Sequence, residues 1–223
     1  MTQGDDVDRF DRWAATYDRH WMQRRIFEPV QRTVLTLAAQ EVPQPAAILD
    51  VGCGTGRLLR LAEGQFPRAK LVGVDAATEM VRQAAASITS GGAIRFQQAT
   101  AEELPFPNGQ FDLIFSTLTF HHWRDQGKGI AEVARVLAPN GRWLLADFMA
   151  TGLVSYVRRL LRLTQFPEQA QLEIMLAGAG LAAVTSRRVP GLSGQVNVMA
   201  IAAIPQRVNQ VRPDSLAGQP RAG

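Results

Sequence analysis

Cysteine is nearly absent from this sequence. Cys53 stands alone, so no disulfide can close within the chain and a disulfide scaffold is excluded. A lone thiol suits a reducing compartment, and cytoplasmic residence is the expectation. Aromatic residues are scarce at 7%, against 46% hydrophobic residues in all, so the core must rest on aliphatic and alanine packing. No run reaches the roughly 18 to 20 apolar residues that a membrane-crossing helix needs. The opening MTQGDDVDRF lacks a basic region followed by an apolar one, so no secretory signal is expected. Metal-ligand spacing is missing too: His121 and His122 have no cysteine or acidic cluster beside them, and no metal is expected. There is no internal repeat.

What is present is a chain of 223 residues with net charge +4, a length that suits one α/β domain. Its charge is unevenly placed. Up to residue 150 there are 16 basic and 17 acidic residues; from residue 151 onward there are 8 basic, all arginine, and 3 acidic. A solvated surface with a basic tail accounts for this. A polyanionic partner or an acidic membrane surface is the other reading. No stripe of aromatics runs through the basic region, so a nucleic-acid partner is not expected.

Spacing and composition divide the chain into an N-terminal helical segment over 1–42, a core over 43–204 and a polar tail over 205–223 that is expected to be disordered. VDRFDRWAATYDRHW sets Phe10, Trp13 and Tyr17 on one helical stripe, and IFEPVQRTVLTLAAQ predicts a second helix. Next, AAILDV, KLVGVD, AIRFQQA, FDLIFSTLTF and RWLLADF read as short buried strands. Helical segments separate them, among them QGKGIAEVARVLAPNG, which the spacing carries as far as Pro139 to Gly141. Strands alternating with helices predict a parallel sheet covered on both faces. GLVSYVRRLLRLTQF, within a lid insertion over about 151–166, is an amphipathic helix carrying Arg158, Arg159 and Arg162; PEQAQLEIMLAGAG is another helix. LAAVTSRRV and QVNVMAIAAI are joined through PGLSG, too short for a helical crossover, so they form an antiparallel pair.

The sharpest local signal is ILDVGCGTGRLL, with Gly52, Gly54 and Gly56 between a strand and a helix. Glycine there allows a sharp turn and lets a ligand lie on bare backbone beside the helix N-terminus. The dinucleotide fingerprint G-x-G-x-x-G would want glycine at Arg57, and Gly56 comes one residue early. Asp75 closes the second strand about twenty residues on, where a carboxylate can accept from both hydroxyls of a ribose. Either feature alone is met by a plain turn or a helix cap. The two in register predict an adenosine-bearing ligand at the carboxyl ends of the strands.

These residues resemble the class I methyltransferases that use S-adenosylmethionine, in particular the small-molecule group related to the ubiquinone and menaquinone biosynthesis enzymes. FDRWAATYD, ILDVGCGTG, VGVDAATEMVRQA, AEELPFPNGQFD and EVARVLAPNGRWLLADF match that group's motifs in order, from about Phe10 to Ile204. The resemblance implies a Rossmann-like α/β fold: a seven-stranded sheet, mostly parallel with the last strand antiparallel and helices on both faces. It implies S-adenosyl-L-methionine as cofactor, with Asp50 and the backbone of Gly52 and Gly54 at its methionine portion and Asp75 at the ribose. Ala76 and Met80 would flank the adenine, and Thr100 and Ala101 would meet its edge. The backbone of Ser116, just past the fourth strand, would sit near the amino group, and the resemblance makes 1–42 an N-terminal helical lid from which Tyr17 would close. Thr100 departs from the acidic residue common there; its hydroxyl can still accept a hydrogen bond, without the charge.

The expected reaction is methyl transfer by in-line displacement to carbon, oxygen or nitrogen of a small-molecule acceptor. His121 and His122 are the candidate bases, since histidine titrates near neutrality; the alternative is that they shape the pocket. Asp147, closing the fifth strand, is a further candidate to face it. Cys53 inside the glycine motif reads as a packing residue. Other readings are a non-enzymatic cofactor-binding module, an RNA methyltransferase suggested by the basic C-terminus, and a nicotinamide-dependent oxidoreductase, which the glycine spacing disfavours. A peripheral membrane contact through residues 152–166 stands beside an ordinary solvated lid. The sequence assigns no oligomeric state.

Overall fold

The computed structural model of the chain describes residues 11–12, 23–88, 94–148, 169–190 and 196–203. Strand β1 (Ala47–Val51), β2 (Lys70–Asp75), β3 (Ile94–Gln98), β4 (Phe111–Thr117), β5 (Leu137–Phe148), β6 (Leu181–Arg188) and β7 (Val196–Ala203) form one sheet in the order β3-β2-β1-β4-β5-β7-β6. β1 to β5 pair in parallel, and β7 runs antiparallel to both β5 and β6. The expected Rossmann-like α/β sheet, antiparallel at its last strand, is the architecture observed.

Helices cover both faces because the central strands are apolar on both. Neighbouring residues of a strand point to opposite faces. Thus Ile48, Leu113 and Leu144 belong to one core, and Leu49, Ile114 and Leu145 to the other. Helices α1 (Glu28–Glu41) and α2 (Arg57–Gln65) close the first through Val30, Val34, Leu37, Leu58 and Leu59. Helix α4 (Gln126–Val136) and α5 (Gln169–Gly178) close the second through Ile130, Val133, Leu172 and Leu176. Helix α3 (Thr78–Ala86) leads from β2 back to β3 and buries Met80 and Ala84. The strand order reverses between β1 and β4. Both leave the sheet at their carboxyl ends there, opening a crevice of the kind in which α/β proteins bind ligands.

The structure revises two boundaries. The helix expected to run to Pro139 stops at Val136, and β5, expected at Arg142, begins at Leu137. The residue before a proline is steered out of the helical region. Leu137 is already extended (φ −71°, ψ 130°) and pairs with Phe111 before the register shifts at Leu113. In the expected lid segment 1–42, α1 is a core helix with Val30, Val34 and Ala38 fully buried. A single π-helical turn, Gln23–Phe27, leads into it, and a proline sits in its first turn. Tyr17, the lid insertion at 151–166 and the tail at 205–223 lie outside the described residues.

Candidate active site

The turn from β1 into α2 is built by backbone that only glycine tolerates. Gly52, Gly54 and Gly56 adopt φ of +78°, +53° and +75°, a region that side chains disfavour. Space forbids a side chain as well. A Cβ on Gly52 would lie 2.1 Å from Thr119 Oγ1, and one on Gly56 would lie 2.3 Å from the Phe96 ring. Gly52 and Cys53 donate their N–H groups to Val74 O at 2.8 and 2.9 Å, which fastens the turn to β2. No side chain caps the start of α2.

Asp75 ties the loop to the next element. Its Oδ2 accepts from Gly54 N at 2.8 Å and its Oδ1 from Ala77 N at 2.9 Å. Burial pushes its pKa up, and the hydrogen bonds from Ala77 and Gly54 pull it back. Each oxygen keeps a further lone pair. At the end of β1, Asp50 is 1% exposed and its Oδ1 has no hydrogen-bond partner. Burial, and then the nearby Asp75, push its pKa up to about 8. Burial raises the Cys53 thiol well above its ordinary value, so it is no thiolate nucleophile.

Around this turn lies a cleft of roughly 1000 Å³, its open mouth included. Asp50, Gly52, Gly54, Asp75, Ala76, Met80, Thr100 and Ala101 all line it, as expected, and so does His122. Ser116 does not. It lies inside β4 rather than past it, is fully buried, and its Oγ accepts from Trp143 Nε1 at 3.1 Å. Thr117, Leu118 and Thr119 line the wall instead.

His121 and Asp147 are not among the lining residues. They form a pair behind His122. Fully buried Asp147 accepts from His121 Nδ1 at 2.7 Å, from His121 N at 3.0 Å and from Phe148 N at 2.7 Å. The ring centres of His121 and His122 are 3.9 Å apart. Leu118, next to this group, has φ +56°. For a leucine that is strain, and strain of this sort gathers at functional sites.

Sequence reasoning missed several lining residues: Phe27, Gln31, Glu102, Leu118 and Trp123. Gln31 carried a signal, since it stands four residues from both Phe27 and Leu35 and therefore shares their inward face. Leu118 carried none, because a leucine's positive φ is imposed by the strand end and the loop around it.

Residues 49–145 match the family model described as a methyltransferase domain. This stretch of the chain is similar to the methyltransferase domain family, and the sheet that carries it is Rossmann-like. The match spans β1 to β5 and so contains the whole glycine loop, Asp50, Asp75 and the histidine pair. The malonyl-[acyl-carrier protein] O-methyltransferase of Geobacter sulfurreducens is 41% identical over 141 residues, covering 62% of this chain and 51% of that protein. The demethylmenaquinone methyltransferase of Thermus thermophilus is 36% identical over 119 residues, 53% of each chain. The chain thus spans about half the length of the curated relatives it matches. Among solved structures, 1,6-didemethyltoxoflavin-N1-methyltransferase of Burkholderia thailandensis, holding 1,6-didemethyltoxoflavin and S-adenosylhomocysteine, shares the fold. Its TM-score is 0.66 at 22% identity, over 90% of this chain and 88% of that one. The likeness to the quinone-biosynthesis group, expected from the motifs, is seen in the match to the demethylmenaquinone methyltransferase. Among the described residues no cluster of His, Cys, Asp or Glu is arranged to hold a metal ion, and no helix is long and apolar enough to cross a membrane.

Proposed function

We propose that the protein is an S-adenosyl-L-methionine-dependent methyltransferase acting on a small-molecule acceptor. The observation that carries this reading is the cleft at the ends of β1, β2 and β4. There the glycine turn, Asp50 with an unpartnered oxygen, and Asp75 meet in one cavity. The residues present fit the cofactor. An orphaned carboxylate oxygen suits an ammonium group, bare glycine backbone suits close approach, and Met80 and Ala101 offer an apolar slot for a purine.

The cofactor, when bound, supplies a methyl group on positively charged sulfur. The chain's part is to orient and to exclude water. In this reading Asp75 receives the ribose hydroxyls, Ala76, Met80, Thr100 and Ala101 enclose the adenine, and Asp50 with the backbone of Gly52 and Gly54 holds the amino-acid end. The backbone of Thr117 and Leu118 takes the place expected of Ser116. Tyr17 as a lid contact rests on the sequence alone.

His122 faces the cleft and His121 stands behind it. The Asp147 contact fixes the His121 ring 3.9 Å from that of His122, so His122 is the member of the pair placed to take a proton from an acceptor. This supports a base for acceptors that must lose a proton, such as phenols and quinols. Cytoplasmic location belongs to the same reading, supported by the unpaired, buried thiol. Membrane contact through 152–166 rests on its arginine pattern, and co-sedimentation with anionic liposomes at low salt tests it, no binding being the outcome against it.

Calorimetric titration with S-adenosylmethionine and S-adenosylhomocysteine tests the proposal, with Asp75→Ala as control. Micromolar binding that the substitution removes supports it, and an acceptor screen would then begin with phenols and quinone precursors. Absence of binding to either ligand would leave a methyltransferase fold without the chemistry.

A further inference from the structure

Gln31 is out of place by the logic of its helix. Its neighbours on the buried face of α1 are Val30, Val34, Leu35, Leu37 and Ala38, all apolar, yet position 31 carries a carboxamide that is 5% exposed. A buried amide oxygen without a partner destabilises the fold. Gln31 Oε1 has none. Leucine or methionine would fill this place on the helix at no such cost, so the glutamine answers to something besides folding.

Gln31 lines the same cleft as Asp50, whose Oδ1 is also buried and unpartnered. The two residues, each with a buried unpartnered oxygen and carried on different elements, line one cavity. Arg57, at the first position of α2, lines that cavity as well. Asp75 and the adenine slot mark the nucleoside portion of the cleft, leaving Asp50, Gln31 and Arg57 for what lies beyond it. A group with several donors and a carboxylate matches this set. A carboxamide can accept from an ammonium and donate to a carboxylate. Because Gln31 Oε1 holds no bond, a half-turn of the amide breaks none.

We propose that Gln31 is a specificity residue for the amino-acid end of the methyl donor, engaging its ammonium and carboxylate through the side-chain amide. This rests on the cofactor reading above and adds α1 to the cofactor site. One consequence is a trade of stability for binding: the unpartnered amide weakens the ligand-free protein and is satisfied when the ligand arrives.

The test compares two ligands. S-Adenosylhomocysteine carries the amino-acid end; methylthioadenosine lacks it. Calorimetry on the full chain should find that Gln31→Met weakens S-adenosylhomocysteine about tenfold, as for a lost hydrogen bond to a charged group, with methylthioadenosine affinity unchanged. The melting temperature of the ligand-free variant should equal or exceed that of the wild type. Gln31→Leu should behave the same way and serves if the methionine variant folds poorly. Equal weakening of both ligands, unchanged S-adenosylhomocysteine binding, or a lowered melting temperature in both variants overturns the proposal. Wild-type protein that binds methylthioadenosine and S-adenosylhomocysteine equally well overturns it too, while leaving a nucleoside site. Wild-type protein that binds neither overturns the cofactor reading itself.

Discussion

At the residue scale, the site depends on positions where one atom decides. Gly52 has both a positive φ and Thr119 Oγ1 where a Cβ would go. Gly52→Ala should therefore cost about 1 to 3 kcal/mol of stability, and it should remove cofactor binding; thermal melts and calorimetry check the two. Asp50 gives a pH dependence whose sign follows from its raised pKa. Between about 4 and about 8 the folded protein keeps a proton that the unfolded chain has lost. The ligand-free protein should lose stability as pH rises through that window and level off above it, and Asp50→Asn should flatten the slope. Binding of a cationic amino group favours the ionised carboxylate, so cofactor binding near pH 6.5 should release about one proton. Calorimetry in buffers of different ionisation enthalpy reads this directly, and proton uptake would count against the assignment.

Elements set how these residues meet. The short 3-10 turn Phe120–His122 follows β4 and is held from β5 by Asp147. The turn is braced from behind by Trp123, which stacks parallel to Trp143 at 6.1 Å. On the proposed reading, in which His122 is the base and the Asp147–His121 pair positions it, Asp147→Asn should reduce turnover on a phenolic acceptor about tenfold to a hundredfold, with cofactor affinity unchanged. The pH profile of kcat/KM should shift with it; a fall in cofactor affinity instead would mark Asp147 as a brace only. Asp125 caps α4 by accepting from Lys128 N at 2.9 Å, and its own N–H donates to Glu102 Oε1 at 3.1 Å on the cleft wall. Asp125→Ala should cost about 1 kcal/mol in a denaturant melt, with little change at the cofactor.

At the scale of the whole molecule, the cleft is made of loops and helix ends from across the sheet, so ligand binding and folding are linked. S-Adenosylhomocysteine at a hundred times its Kd should stabilise the chain by about 2.7 kcal/mol, seen as a raised melting temperature. The alternation of apolar strands with helices was enough to read the sheet and its antiparallel close, because burial on both faces leaves a mark in local spacing. The glycine turn and Asp75 were legible for a similar reason: positive φ and a carboxylate at a strand end are requirements met within a few residues. Tertiary structure alone decided the rest. Ser116 turned out to serve Trp143, Asp147 went to His121 and not to the cleft, and β5 began at Leu137 because pairing with Phe111 and the proline beyond it outweighed helical spacing. Spacing puts Gln31 on the inward face of α1, but only the packing of α1 on the sheet makes that face border the cleft that Asp50 also lines. Sequence spacing determines which face a residue takes along its own element; what stands opposite that face is settled by packing between elements far apart in the chain.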